Sequence, residues 1–281
     1  MNEMSPKARK QFAQHWLRSE QALDSIVAAA DLQPSDRILE IGPGTGILTR
    51  RLLPAVQAVL AVEIDRDLCK LLVKKLGSID NFLLLQGDFL TLDVEDQLTA
   101  FPKFQKPNKV VANIPYNITG PILEKLLGTI AQPSPEPFDL IVLLVQKEVA
   151  QRLYAQAGSR AFGALSVRVQ YLAECELICN VPAKAFSPPP KVDSAVVRLR
   201  PRLVNPPADD PKQLETLVKV GFSSKRKMLR NNLQSLLERD NLTHLLEQLE
   251  VNPQVRAEDL SVDQWVALSN RINLQPQALE P

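Results

Sequence analysis

Four consecutive residues, Asn113-Ile114-Pro115-Tyr116, have side chains suited to holding a planar nitrogenous ring. They follow the apolar run 110–112, which predicts the end of a buried strand. The side-chain carbonyl of Asn113 can accept a hydrogen bond from an amine, Pro115 restricts the turn, and Tyr116 offers a flat face for stacking. The same tetrapeptide also fits a strand that simply ends in a turn. The elements around it have to decide between these two interpretations.

The first strand of the predicted sheet, 37–41, runs directly into the glycine loop Gly42-Pro43-Gly44-Thr45-Gly46. Glycines allow backbone amides to approach a ligand closely, as they do in nucleotide-cofactor loops. The G-x-G-x-G spacing differs from the G-x-G-x-x-G of dinucleotide-binding enzymes. Glu40, just before the loop, would repel a pyrophosphate and favour a cationic amino-acid group. These features predict a cofactor loop that faces such a group.

Two further strand ends carry hydrogen-bond acceptors that suit a nucleoside. The second predicted strand ends in Glu63, 21 residues after Gly42, at a spacing where an acidic side chain accepts from ribose hydroxyls. The third is followed by Asp88, which could accept from the amine of an adenine, and by Phe89 beside it. Each carboxylate alone also fits a solvated loop. Successive strand ends that all carry such residues predict one shared site.

Strands and helices alternate over residues 37–157, which predicts a doubly wound, Rossmann-like α/β sheet. Sheets of this kind bind ligands along the edge where their parallel strands end. After the proline-containing segment 202–207, only helical patterns follow. We therefore expect two domains, an N-terminal arm with the α/β domain over 1–203 and a small all-α domain over 204–281.

A proline-rich loop lies between the last two predicted strands. Phe186 and Ser187 precede three consecutive prolines, 188–190, which fix an extended loop. The ring of Phe186 could form the second wall of a stacking clamp opposite Tyr116. It could also be a buried anchor for the loop, and both interpretations stay open.

The overall composition is that of a globular protein, with 45% hydrophobic and 23% charged residues in a chain of 281. The formal net charge of +1 gives no indication of nucleic-acid binding. Two local clusters of cations could nevertheless bind RNA phosphates, although a disordered arm and a solvated helix face are the alternatives. They consist of Lys7, Arg9 and Lys10, and of Lys225, Arg226, Lys227 and Arg230.

Three scattered cysteines argue against a disulfide framework and fit a reducing compartment. With only two histidines beside them, we expect no metal site. The N-terminus lacks the apolar core of a signal peptide, and no run of about 18 apolar residues occurs. We therefore expect a cytoplasmic protein with no membrane partner.

In the order and spacing of four segments, the chain resembles the ribosomal small-subunit RNA adenine N6,N6-dimethyltransferases of the KsgA/RsmA type. The resemblance covers nearly the whole chain. It implies an S-adenosylmethionine-dependent, monomeric enzyme that dimethylates two adjacent adenosines in the 3′-terminal hairpin of 16S rRNA during ribosome biogenesis. The product would be S-adenosylhomocysteine, and the partner the small ribosomal subunit or its precursor. The segments are Glu40-Ile41-Gly42-Pro43-Gly44-Thr45-Gly46, Asn113-Ile114-Pro115-Tyr116-Asn117-Ile118, Gln146-Lys147-Glu148-Val149 and Phe186-Ser187-Pro188-Pro189-Pro190-Lys191-Val192-Asp193-Ser194-Ala195-Val196-Val197.

The resemblance also implies a role for each matching position. Two acceptors aimed at the N6 hydrogens would turn the nitrogen lone pair toward the methyl group to be transferred. These acceptors and the aromatic walls of the base pocket would come from Asn113, the backbone carbonyl of Ile114, Pro115, Tyr116 and Phe186. The methionine part of the cofactor would contact Gly42, Gly44 and Gly46. Its ribose would contact Glu63, and its adenine would contact Asp88 and Phe89. The other residues implied to contact the cofactor are His15, Leu17, Glu40 and Asn113.

The arm departs from the family pattern. The chain has Phe12-Ala13-Gln14-His15-Trp16-Leu17 where the family usually has Phe-Gly-Gln-Asn-Phe-Leu. An imidazole at position 15 can still donate or accept a hydrogen bond in place of an amide.

Three other functions are compatible with parts of the pattern. The related large-subunit rRNA adenine methyltransferases share the fold, but Pro-Pro-Pro-Lys-Val-Asp-Ser and Phe-Ser-Ser-Lys-Arg-Lys favour the small-subunit group. A nicotinamide oxidoreductase would need a different glycine spacing. A non-catalytic assembly factor could keep both the fold and the RNA-binding face.

Overall fold

The computed structural model describes residues 14–202 and 205–272, so the predicted RNA-binding residues Lys7, Arg9 and Lys10 lie outside the described residues. Its strands are β1 (Trp16–Leu17), β2 (Arg37–Ile41), β3 (Ala58–Glu63), β4 (Phe82–Gln86), β5 (Lys109–Asn113), β6 (Leu140–Gln146), β7 (Ala173–Val181), β8 (Phe186–Ser187) and β9 (Ser194–Pro201). Its α-helices are α1 (Glu20–Ala29), α2 (Thr49–Leu52), α3 (Arg66–Leu76), α4 (Val94–Gln97), α5 (Thr119–Leu127), α6 (Lys147–Leu153), α7 (Ala164–Leu172), α8 (Pro211–Gly221), α9 (Leu229–Asn232), α10 (Arg239–Gln248) and α11 (Val262–Arg271).

Seven of these strands form one sheet in the order β4-β3-β2-β5-β6-β9-β7. Strands β2 to β6 pair in parallel, and β9 is antiparallel to β6. The strand order reverses between β2 and β5, and open parallel sheets bind ligands at such a point. The predicted doubly wound α/β fold is therefore confirmed, and its parallel strands bring the predicted site residues to one edge.

The sheet forms because its central strands are apolar on both faces. Every residue of β3 is buried, and β6 is buried up to its last residue. Helix α1 covers the sheet with a buried apolar stripe that includes Leu23 and Ile26. Its N-cap is Ser19, whose hydroxyl accepts a hydrogen bond from the amide of Ala22 at 3.3 Å. Asp65 caps α3 in the same way by accepting from the amide of Asp67 at 2.9 Å.

A second, two-stranded sheet joins β1 to β8 in antiparallel orientation and was not predicted. Trp16 faces Ser187, and Leu17 faces Phe186. The amide of Arg18 extends the contact by donating to the carbonyl of Ala185 at 2.8 Å. This pairing fastens the arm to the loop that precedes the prolines.

The chain divides into two compact units by its internal contacts. One comprises the described residues within 1–126, together with 136–150 and 176–201, and it contains most of the large sheet. The other comprises 127–135, 151–175 and the described residues within 202–281. The predicted boundary after residue 203 concerns domains of continuous sequence and stays a prediction.

The second unit has its own core around Trp265, which is fully buried. The indole lies 5.7 Å from the ring of Phe222, measured between centroids. A Cβ on Gly221 would come within 2.5 Å of the indole, so only glycine allows α8 to approach α11 this closely. Leu214, Leu217 and Leu229 are fully buried in this unit.

Candidate active site

A cavity of about 340 Å³ lies at the carboxyl edge of the sheet, within the range of small-molecule sites, about 300–1,000 Å³. It is lined by the ends of β2, β3 and β5, by the loop after β4 and by the arm from residue 14 onward. The structure thus brings together residues that the sequence predicts for cofactor and target. They are His15, Leu17, Glu40, Gly42, Gly44, Glu63, Asp88, Phe89, Asn113, Ile114, Pro115 and Tyr116.

The glycine loop turns at this edge by using left-handed backbone conformations. Gly42 has φ +67° and Gly44 has φ +59°. A Cβ on Gly44 would lie 3.3 Å from the indole of Trp16, so the arm packs directly on the loop. Trp16 also lines the cavity, and its buried Nε1 has no hydrogen-bond partner among the described residues. Sequence reasoning missed Trp16 because its contact with the loop is long-range.

Gly46 is not among the residues that line the cavity, and its role as a cofactor contact stays a prediction. Its φ is +77°, and a Cβ there would lie 2.9 Å from the side chain of Leu72 and 3.3 Å from that of Leu76. Gly46 is therefore required for the close packing of the loop against α3.

Glu63 ties the glycine loop to the end of β3. One carboxylate oxygen accepts from the amide of Gly44 at 3.1 Å, and the other accepts from the amide of Asp65 at 2.9 Å. Burial raises the pKa of Glu63, and the backbone hydrogen bonds from Asp65 and Gly44 oppose this increase. The carboxylate is fixed at the cavity wall, and each of its oxygens keeps a lone pair for a ligand hydroxyl.

Glu40 is a buried acid that lines the cavity, with 1% of its surface exposed. Its Oε2 atom has no hydrogen-bond partner among the described residues. Burial, reinforced by the negative charge of Glu63, raises the pKa of Glu40 to about 8. A buried acceptor of this kind suits a ligand that brings its own donor or positive charge.

The loop after β4 supplies an acidic and an aromatic side chain. Asp88 accepts from the amide of Leu90 at 2.9 Å through Oδ1, and Oδ2 has no partner among the described residues. Phe89 is buried beside it. Lys125 donates to the carbonyl oxygen of Phe89 at 2.6 Å and was not singled out in the sequence, where a helical lysine gives no signal.

Asn113 and Tyr116 line the cavity from the end of β5 and the turn that follows it. The side-chain amide of Asn113 donates to the carbonyl of His15 at 3.4 Å, and its Oδ1 has no partner among the described residues. The hydroxyl of Tyr116 lies 2.6 Å from that of Ser194, which is fully buried. Burial raises the pKa of Tyr116, and the hydrogen bond with Ser194 opposes this. Tyr116 is therefore a neutral phenol at physiological pH.

The ring that faces Tyr116 is His15 rather than Phe186. The two rings are stacked, with 6.1 Å between centroids and 21° between planes. The Nδ1 atom of His15 is 2.8 Å from the carbonyl oxygen of Pro188. Phe186 is 4% exposed, belongs to the core cluster that includes Leu17, and does not line the cavity. The geometry matches the buried anchor, and the clamp around a bound base stays a prediction.

The predicted basic cluster lies in the second unit. Lys225, Arg226 and Lys227 are exposed, and Arg230 is half-buried. Lys225 donates to the carbonyl oxygen of Arg160 at 2.8 Å, which adds an exposed cation that the sequence did not single out. Within the described parts of the chain, none of these five cations pairs with a carboxylate. Such an uncompensated group of cations attracts phosphates.

None of the helices between residues 14 and 202 or between 205 and 272 is long and apolar enough to cross a membrane.

Comparisons with known proteins agree with this geometry. The family model described as ribosomal RNA adenine dimethylase matches residues 5–274. A protein of Trichormus variabilis named "Ribosomal RNA small subunit methyltransferase A" is 75% identical over 269 residues, which cover 96% of this chain and 99% of the relative. A relative with the same name from Nostoc punctiforme is 74% identical over 272 residues, 95% of each chain.

Two solved structures are also similar. A dimethyladenosine transferase from Plasmodium falciparum has a TM-score of 0.74 and 28% identity, over 90% of this chain and 96% of its own. The 23S rRNA methyltransferase ErmE has a TM-score of 0.72 and 28% identity, over 91% of this chain and 98% of its own. The fold is thus shared with a dimethyladenosine transferase and with a 23S rRNA methyltransferase.

Proposed function

The chain belongs to the ribosomal RNA adenine dimethylase family and is an rRNA adenine dimethyltransferase, and from this premise we propose that it methylates 16S rRNA of the small ribosomal subunit. Its targets would be the N6 atoms of two adjacent adenosines in the 3′-terminal hairpin. The observation that carries the proposal is one cavity lined by two groups of residues. We call the lining after β2, β3 and β4, with Glu40, Glu63 and Asp88, the first wall, and the lining after β5, with Asn113 and Tyr116, the second wall. The small-subunit name of relatives up to 75% identical supports the choice of RNA.

The residues of the first wall fit S-adenosylmethionine. The buried carboxyl of Glu40, whose Oε2 has no partner among the described residues, would accept from the amino group of its methionine part, beside Gly42 and Gly44. Glu63 would accept from the ribose hydroxyls, and the free oxygen of Asp88 from the adenine amine. When bound, S-adenosylmethionine supplies an activated methyl group on a sulfonium. Leu17 would close this wall from the arm, as the resemblance implies, whereas His15, for which the resemblance implies the same role, is stacked on Tyr116 and would serve the second wall.

The residues of the second wall fit an adenine base. Oδ1 of Asn113 and the backbone carbonyl of Ile114 are two acceptors for the N6 hydrogens, and Pro115 holds the turn between them and Tyr116. Hydrogen bonds to both hydrogens would turn the lone pair of N6 toward the methyl group. The ring of Tyr116 would replace the stacking that the base loses on leaving the RNA helix.

The wall orients the amine and does not deprotonate it. An adenine amine bonds through its lone pair, so its proton can leave to water after the methyl group has been transferred. The raised pKa of Tyr116 keeps this phenol protonated, so it is not the base. The second methylation requires space beside N6, which Asn113 would border.

The basic residues would bind the phosphate backbone of the RNA. Lys225, Arg226, Lys227 and Arg230 would contact phosphates, joined by Arg160 through its bond to Lys225. Lys7, Arg9 and Lys10 of the arm stay predicted RNA contacts. The protein would act as a monomer in the cytoplasm, with the α/β domain over 1–203 and the helical RNA-binding domain over 204–281.

Mass spectrometry of rRNA after incubation with S-adenosylmethionine tests this function. Small and large ribosomal subunits from a strain lacking N6,N6-dimethyladenosine serve as separate substrates. We expect two dimethyladenosines in one 3′-terminal fragment of 16S rRNA and none in the large subunit. Product only in 23S rRNA would overturn the assignment in favour of the activity named for ErmE. Tight binding to small subunits without any product would favour a non-catalytic assembly factor.

A further inference from the structure

The side chain of Lys125 makes four contacts with the loop that follows β4. Its ammonium group donates to the carbonyl oxygens of Phe89 at 2.6 Å, Leu92 at 2.9 Å and Leu90 at 3.3 Å. It also lies over the ring of Phe89, 4.9 Å from the centroid. A lysine has three N–H donors, so the three carbonyls saturate it.

The loop leaves these carbonyls for an outside donor because its own hydrogen bonds use other atoms. The carbonyl of Asp88 accepts from the amides of Thr91 and Leu92, at 3.1 and 2.8 Å. The Asp88 carboxylate accepts from the amide of Leu90. The turn therefore satisfies its amides internally, while the carbonyls of Phe89, Leu90 and Leu92 converge on one cation.

Lys125 also connects the two walls of the cavity. It lies on α5, and α5 begins at Thr119, directly after the turn Tyr116–Ile118 that lines the second wall. Asp88 and Phe89 line the first wall. One side chain thus holds the first-wall loop against the helix that continues from the second wall.

We propose that Lys125 is a positioning residue that sets the Asp88–Phe89 loop for the adenine of the cofactor. The inference rests on the proposed function, because that function places adenine at Asp88. Without the cation, three carbonyls of the loop lose their shared donor, and the free carboxylate oxygen of Asp88 is no longer held at one distance from the glycine loop. Lys125 does not itself touch the ligand.

Calorimetry with S-adenosylhomocysteine tests the proposal on Lys125→Met and Lys125→Arg. Lys103→Met is the matched control, since Lys103 donates to one exposed carbonyl, that of Asp80 at 3.1 Å, and its loss changes the charge equally. We expect Lys125→Met to raise the Kd about tenfold, Lys125→Arg to stay within about threefold of wild type, and Lys103→Met to have no effect. In methylation assays, KM for the cofactor should rise while kcat and KM for RNA stay within about twofold.

Several outcomes would overturn the proposal. They are an unchanged Kd in Lys125→Met, an equal loss in Lys103→Met or in Lys125→Arg, and a fall in kcat at constant cofactor KM. A wild-type protein that binds no S-adenosylhomocysteine would instead refute the proposed function. In that case amide hydrogen exchange of Leu90 and Leu92 still tests whether Lys125 orders the loop. The amides of this loop should exchange faster in ligand-free Lys125→Met than in wild type, and unchanged exchange would contradict the role of Lys125.

Discussion

The two walls of the cavity are held in place by different means. On the first wall, the cofactor wall, Glu63 accepts hydrogen bonds from two amides of adjacent loops, and Gly42 and Gly44 have backbone conformations that favour glycine. On the second wall, the target wall, Asn113 donates one 3.4 Å hydrogen bond to His15, 98 residues away. Tyr116 is hydrogen-bonded to Ser194, 78 residues away. The first wall is thus formed by neighbouring strand ends and the second by distant segments that meet there.

This difference matches the two ligands. A small cofactor binds repeatedly in one conformation, and a rigid wall of backbone amides and buried carboxyls lowers the entropic cost of binding it. A base that is displaced from RNA needs a stacking face and acceptors for its amine, and the arm brings the ring of His15 to Tyr116 on this wall. Substitutions on the two walls should therefore separate cofactor affinity from target methylation.

The largest effect is expected for Asn113→Ala. Loss of one of two acceptors for N6 should reduce kcat/KM about 10²–10³-fold, the range seen when a transition-state hydrogen bond is removed. Binding of S-adenosylhomocysteine and of small subunits should stay within about threefold. Asn241→Ala, an exposed site on α10, is the control. Undiminished methylation, measured by radioactive methyl incorporation, would remove Asn113 from the catalytic role.

Glu40→Gln should weaken cofactor binding about tenfold and at the same time stabilise the ligand-free protein. The folded-state pKa of about 8 lies above the ordinary value of 4.5, so the native state binds more protons between these values. The free energy of unfolding of the wild type therefore falls as pH rises from about 5 to 8.

The glutamine variant should lack this decrease, so its advantage in Tm should grow from pH 5 to pH 8. Thermal unfolding at several pH values measures it. An advantage that is constant with pH would show that Glu40 is not a buried acid with a raised pKa.

His15→Ala tests whether the arm contributes to binding of the target RNA or to binding of the cofactor. It removes the ring stacked on Tyr116 and the contact with Pro188. We expect KM for RNA to rise about fivefold, with the Kd of S-adenosylhomocysteine changed less than twofold. The opposite pattern, weaker cofactor binding at unchanged KM for RNA, would move His15 to the cofactor wall.

The smallest effect is expected for Tyr116→Phe. The ring stays, but the buried hydroxyl of Ser194 loses its partner, which should cost about 1–2 kcal/mol of stability. Methylation at saturating RNA should fall less than threefold. A loss as large as that of Asn113→Ala would mean that the phenol takes part in the reaction.

Much of the site could be predicted from the sequence because it follows buried strands. Strand ends such as Glu63 and Asn113 are recognisable from local runs of apolar residues, and parallel pairing brings them to one edge. The positions of Phe186, Gly46 and Lys125 could not be predicted in this way. They depend on contacts with Leu17, with Leu72 and with the loop after β4, which are set by packing between distant segments.

One cavity should hold the cofactor on its first wall and the target adenine on its second wall. A crystal structure of the protein with S-adenosylhomocysteine and an adenosine-containing RNA hairpin tests this arrangement. We expect the N6 atom within hydrogen-bonding distance of Oδ1 of Asn113 and of the carbonyl of Ile114, and the cofactor's amino group beside Glu40. An adenine bound away from Tyr116, or a cofactor that does not contact Glu40 and Glu63, would contradict the account.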